Sequence, residues 1–222
     1  WSEPAWRADI LGERTARLIA AHQTLVTGAD ALDARLFGRA ILRGARHLHR
    51  APIIVPKPWR RFHAHRGRIF SALALRELRG RLERDLRALG ADADSQVLGD
   101  GGHVERSPVK ALAVLAMLIE IRDVLALHQI EPPAGLISAI DRMAPFIRAL
   151  RMGDGGLTLL GGGRSGHEDM IDAVLDASGS HGRAMAFAPH SGYCRLRSGQ
   201  TTVLVDTGTP EHAGADAHLS PL

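Results

Sequence analysis

The chain has 222 residues, 45% hydrophobic and 23% charged, the balance of one folded domain with room for the start of a second rather than of a disordered chain. Only 4% of residues are aromatic, so base-stacking or sugar-stacking platforms are sparse, and the longest apolar run, 111–119, is about half a membrane span, so no spanning helix is expected. The formal charge of +4 rests on basic residues that, apart from Lys57 and Lys110, are all arginine; this is read as the mark of a GC-rich genome, with an anionic partner as the alternative, and no nucleic-acid partner is expected from it.

Residues 4–26 carry Ile10, Leu11, Leu18, Ile19 and Leu25 near whole helical turns, which predicts an amphipathic helix ended by Gly28. A second helix over 30–48 places Leu32, Leu36, Phe37, Ile41 and Leu42 on its apolar face, and the pair forms an αα-hairpin. Pro52, Pro56 and Pro58 then impose a loop. The segment 59–68, with Arg60, Arg61, His63, His65, Arg66 and Arg68 around Phe62, reads as a solvated loop leading into a helix, with an anion-binding patch as the alternative. His63 and His65 have the wrong spacing for a helix-borne metal site.

A long helix is expected over 69–89, its leucines inward and its arginines outward against Glu77, Glu83 and Asp85. Helices over 107–127 and 134–152 follow, the first introduced by Ser107-Pro108 as N-cap and N1, the two separated by Pro132-Pro133. A shorter helix is expected over 167–178. From His190 the period changes, and 193–197 and 201–205 read as strands joined by a tight turn at Ser198-Gly199. Cys194 is the only cysteine, which excludes an intrachain disulfide framework and a zinc site of several cysteines. Helical hairpins followed by strands describe an all-α domain joined to a β domain, with the boundary near 186–191. Trp1 already lies in helical pattern and 213–222 trail off, so a fragment is expected, and the missing signal peptide says nothing about export.

Three loops carry more polar and glycine-rich sequence than a helical core needs. In Asp100-Gly101-Gly102-His103-Val104-Glu105-Arg106-Ser107-Pro108, His103 can exchange protons near neutrality and Arg106 can hold a carboxylate, while Glu105 orients either of them. The structural alternative is that Glu105 and Arg106 cap and bridge helices. The second loop, 151–156, contains Asp154 in a turn sequence, and the third, 189–196, leads into the first strand.

The order of DGGHVERSP at 100–108, IDRMAPFIRALRMGDGGLTLL at 140–160 and SGYCRLRSGQTTVLVDTG at 191–208 resembles the heparinase II/III-like family of polysaccharide lyases over residues 86–208. That resemblance implies a mainly α chain: an incomplete α/α toroid of helical hairpins over 1–186, then the first strands of an antiparallel β-sandwich domain over 187–222. It implies β-elimination on an acidic, uronate-containing polysaccharide in the cell envelope or periplasm, with His103 and Arg106 as catalytic residues and Glu105, Lys110 and Asp154 as substrate-binding residues. No cofactor or metal is implied within this segment; metal ligands of some members would lie beyond Leu222. Active members continue the first motif with Tyr-His, where this chain has Lys110 and Ala111. The alternative of the same fold is therefore a catalytically degenerate glycan-binding or envelope-assembly protein, with a basic nucleic-acid surface over 60–68 as a third possibility lacking a recognition motif.

Overall fold

A computed structural model describes residues 3–161 and 168–208. The chain is mainly α, with a small antiparallel sheet at the end of the described residues. Its α-helices are α1 (Ala8–Ala20), α2 (His22–Val26), α3 (Ala31–Arg50), α4 (Arg61–Ala74), α5 (Leu82–Gln96), α6 (Pro108–Leu127), α7 (Ala134–Ala149) and α8 (Glu168–Ala177). The strands are β1 (Phe187–Ala188), β2 (Tyr193–Ser198) and β3 (Thr201–Asp206). Two units can be distinguished: the described residues up to Gly90 together with Asp123–Pro133, and Ala91–Arg122 together with the described residues from Ala134 onward.

In the first unit α3 starts where Asp30 accepts hydrogen bonds from the amides of Leu32 and Asp33, both at 2.8 Å. Its last turn carries His47, His49 and Arg50, and the Arg50 charge suits the negative end of the helix dipole. Its buried stripe is Ile41, Gly44, Ala45 and Leu48. Helices α1 and α4 approach backbone to backbone. A Cβ at Gly12 would lie 2.3 Å from the carbonyl oxygen of His63, and one at Gly67 would lie 2.5 Å from the Gly12 Cα. Ala8, Leu11, Leu48 and Ala64 close the core beside this crossing, with Trp6, Ile53 and Val55 packed against it.

Three expectations for this unit are corrected. Residues 61–68 belong to α4, and Phe62, Ala64, His65, Arg66 and Gly67 are buried, so this is a core helix and not a solvated loop. The helix expected over 69–89 is broken after Ala74 by a 3₁₀ segment, Arg76–Arg81, before α5 begins. Asp85, assigned to the outward charged face, is buried instead against His49.

In the second unit α6 buries most of its circumference, including Leu112, Leu115, Leu118 and Ile121, and leaves a stripe of Val109, Ala113, Ala116 and Glu120 exposed or half-buried. Helix α7 buries Leu136, Ile140, Met143, Phe146 and Ile147 and carries Pro145 inside it. Arg122 donates to the carbonyls of Ala177 (2.7 Å) and Ser178 (3.0 Å), meeting acceptors left open at the end of α8. The strands pair in the order β1-β2-β3, with Cys194 opposite Val205 and Leu196 opposite Val203, and Gly199 takes φ +56° in the turn between β2 and β3. Tyr193, Arg195 and Leu204 line a small cavity with Phe146, Ala149 and Leu150 at the end of α7, while Leu196, Val203 and Val205 lie exposed on the other sheet face.

Candidate functional site

The loop between α5 and α6 threads through a narrow space, which explains its glycines. Gly101, at φ +85°, passes so close to α7 that a Cβ there would lie 2.0 Å from the carbonyl oxygen of Arg142. A Cβ at Gly102 would lie 2.4 Å from the Cβ of Ser191. The loop is thus held between α7 and the approach to β2. A hairpin-like set of bonds secures it: Leu98 N donates to Gly102 O (2.8 Å) and Val104 N to Gln96 O (3.0 Å).

Within this loop His103 is completely buried. Its Nδ1 accepts from the Glu105 amide at 3.1 Å, and its Nε2 donates to Gln96 Oε1 at 3.1 Å. Burial, assisted by the positive charge of Lys110, pushes its pKa down to about 4, so the ring is neutral across the physiological range. One ring nitrogen thus holds the loop backbone and the other the Gln96 side chain. Glu105 and Lys110 face one another, with Nζ 3.3 Å from Oε2 and both side chains largely buried.

Asp100 and Arg106 join the loop to the sheet. Asp100 Oδ2 accepts from the amides of His190 (2.8 Å) and Ser191 (2.7 Å) and from Ser191 Oγ (3.0 Å), while Oδ1 accepts from Gly102 N (3.0 Å). Arg106 donates from Nε to the Ser191 carbonyl at 2.7 Å and from a terminal nitrogen to Asp206 at the end of β3. Tyr193 Oη donates to the Arg106 carbonyl at 2.7 Å, and the guanidinium carbon lies 5.8 Å from the centre of the Tyr193 ring. Arg106 holds φ +48°, unusual for a residue with a side chain and tolerated because these bonds over-determine its position. Burial drives the Tyr193 pKa upward, so its hydroxyl stays protonated and donating.

His103, Glu105, Arg106 and Lys110 therefore come together, as the loop sequence suggests, in a polar clasp whose bonds run to the protein itself. Asp154 lies in the separate turn after α7, exposed, where its Oδ1 accepts from the Gly156 amide at 2.9 Å and closes an Asx turn. Asp100, which sequence reasoning passed over as a turn residue, makes three bonds to the approach of β2, to the amides of His190 and Ser191 and to the Ser191 hydroxyl. Its acceptor role depends on partners about ninety residues away, which spacing does not reveal.

The first unit holds three further polar arrangements. Ser71, His49 and Asp85 stand in sequence, with Ser71 Oγ 3.0 Å from His49 Nε2 and His49 Nδ1 3.1 Å from Asp85 Oδ2. This is the order of a hydrolase triad, yet all three are buried, and the Ser71 hydroxyl is directed at the carbonyls of Gly67 (2.7 Å) and Arg68 (3.0 Å). No substrate carbonyl can reach that oxygen, so the arrangement is a structural tie between α3, α4 and α5.

On the other side of α4, α1 presents Asp9 and Glu13 one turn apart. Asp9 receives Arg7 (2.6 and 2.9 Å) and Arg60 (2.9 Å); Glu13 receives His63 Nδ1 (2.6 Å) and also Arg17 and Arg66. The His63 hydrogen bond and the Arg66 charge, working against burial, hold the Glu13 pKa down at about 2. Burial opposes ionisation of Asp9, but the hydrogen bonds from Arg7 and Arg60 outweigh it and bring its pKa to about 2. A cleft of about 470 Å³ beside these groups is also lined by Arg14, Arg17 and Leu18.

The third arrangement is a groove of about 500 Å³ along α3, lined by Trp6, Arg39, Leu42, Arg43, Arg46, His47 and Arg50. The Trp6 ring stands edge-on to His47, centroids 5.1 Å apart, with the guanidinium carbons of Arg43 and Arg14 at 5.7 and 5.8 Å from its centre. Arg46 is paired with Glu77 at 2.6 Å. Among the described residues no group of three or more His, Cys, Asp or Glu side chains could hold a metal ion, and no helix is long and apolar enough to cross a membrane.

No family model matches this sequence. No solved structure matches it. The chain is similar to FtsZ-localized protein C of Caulobacter vibrioides, with 32% identity over 212 residues that cover 95% of this chain and 36% of that relative. The chain thus spans little more than a third of the length of the curated relative it matches. This finding overturns the expected function: a relative named for its localisation with FtsZ, matching almost the entire chain, replaces the polysaccharide lyase and the uronate-glycan chemistry inferred from the motif order.

Proposed function

We propose that this chain is part of a cell-division protein that localises with FtsZ and acts there through binding rather than through bond-breaking chemistry. The similarity to FtsZ-localized protein C over 95% of the chain carries this reading. The geometry supports it, because His103 and Arg106, the residues expected to exchange protons and to hold a substrate carboxylate, spend hydrogen bonds on the Glu105 amide, Gln96, Ser191 and Asp206. The resemblance to the heparinase II/III-like family is proposed only as a relationship of fold, supported by helices that precede strands and by the three motifs in order. A fluorescent fusion expressed in Caulobacter vibrioides beside labelled FtsZ tests the proposal. Bands that coincide with FtsZ and disperse when FtsZ is depleted are expected; even fluorescence in cells with intact FtsZ bands would overturn it.

A further inference from the structure

The outward face of α3 is divided along its length. Its first two turns expose Leu32 (65%) and Leu36 (52%), with Leu25 of α2 also exposed (52%). The turns that follow expose Arg39, Arg43, Arg46 and Arg50, at i, i+4, i+7 and i+11. The buried residues Ile41, Ala45 and Leu48 lie on the opposite side of the helix, so the outward residues are not needed for the core. Beside the arginines lies the groove floored by Trp6 and Leu42.

We propose that this face docks an extended segment of a partner protein, apolar at one end and acidic along the rest. The division of charge selects this occupant. From Leu32 to Arg50 the helix advances about 27 Å, a span that about eight residues of extended chain would cover. Carboxylates on such a segment meet guanidinium forks at successive turns, and an apolar end covers the leucines. Glu77 pairs with Arg46 and its charge also acts on Arg50, so the carboxylates of the segment are set mainly against Arg39 and Arg43, the arginines nearest the leucines.

A second copy of α3 does not fit. Antiparallel pairing sets leucines against arginines, parallel pairing sets arginine against arginine, and Leu32, Arg35, Leu36, Arg39, Arg43, Arg46, His47 and Arg50 bring no carboxylate to either. A membrane surface is matched by helices whose apolar and cationic residues lie on opposite sides. Here they share one side and are separated along the axis. A nucleic acid would use the arginines and leave the leucines in water. The proposal does not depend on the division-site assignment.

The test uses the 222-residue chain and a fluorescein-labelled octapeptide with three leucines at one end and five glutamates toward the other, prepared in both chain directions. Fluorescence anisotropy is expected to show micromolar binding in at least one direction, weakened by added salt. The double variant Arg39→Glu/Arg43→Glu should lose about tenfold or more in affinity. Leu32→Ser/Leu36→Ser should weaken the mixed peptide about fivefold and leave an all-glutamate peptide unchanged. Circular dichroism melts matching the parent chain establish that these outward substitutions leave the fold intact. Equal binding of a glutamine-for-glutamate peptide, or unchanged binding by the arginine variant, would overturn the proposal. So would tighter, equally arginine-dependent retention on phosphatidylglycerol vesicles or on a single-stranded oligonucleotide.

Discussion

His103 illustrates how one side chain can be chemically suggestive in sequence and structural in place. Its loop contains the residue types of an acid–base site, and periodicity places them close together. What periodicity does not supply is the direction of each bond: both imidazole nitrogens are satisfied inside the fold, and burial keeps the ring neutral with a pKa of about 4. In the unfolded chain the same imidazole takes up a proton near its ordinary value of 6.5. The unfolded state therefore binds more protons between these values, and stability falls as pH falls from about 6.5 toward about 4. The slope from this group is at most about 1.4 kcal/mol per pH unit. Urea denaturation at a series of pH values should show this decline, and His103→Gln should flatten it while costing about 1–3 kcal/mol at neutral pH, because the Glu105 amide loses its acceptor.

Among the helices, the crossing of α1 and α4 shows how much depends on two glycines and two carboxylates. Gly12 and Gly67 let the backbones meet, and a methyl group on Gly12 has nowhere to go but into the His63 carbonyl. Gly12→Ala is expected to lower stability by about 1–3 kcal/mol through forced separation of the helices, measurable as a reduced urea midpoint with an unchanged m-value. Asp9 and Glu13, both with pKa values held down at about 2, stabilise the fold at and above the unfolded values of 3.8 and 4.5, and that contribution is lost as pH falls toward about 2. Glu13→Gln should reduce stability at neutral pH and shrink the loss between about pH 4.5 and pH 2, a window below the one governed by His103. The same crossing explains why residues 61–68 resist reading from sequence. Their arginines and histidines look solvated because the acids that neutralise them, Asp9 and Glu13, lie about fifty residues earlier. Asp85 misleads in the same way, since its neighbours in sequence are outward charges while its partner His49 is on α3.

For the protein as a unit of function, motif order was a weaker guide than similarity along nearly all of the chain. DGGHVERSP and SGYCRLRSG are joined in the structure by Asp100, Arg106 and Tyr193, so in this chain the two segments serve to attach the strands to the helices. Residues that build such a clasp can persist whatever the surrounding surface does. An ultraviolet elimination assay with uronate polysaccharides should accordingly give no rise in absorbance over buffer, with the parent chain and with His103→Ala alike. The helices apart from the start of α4 and the break at Arg76–Arg81, the change to strand period near His190, the Pro108 start of α6 and the turn at Gly199 were legible locally, because helical and strand periods and turn chemistry involve residues a few positions apart. The pairing of Asp100 with Ser191, the burial of Asp85 on His49, and the outward Leu32-to-Arg50 face of α3 were decided only by folding. Leu32 and Leu36 continue the apolar pattern of their helix, and nothing within α3 separates a leucine that will be covered from one left in water. That distinction depends on which distant segment arrives to bury it, and for these two leucines none of the described residues does so.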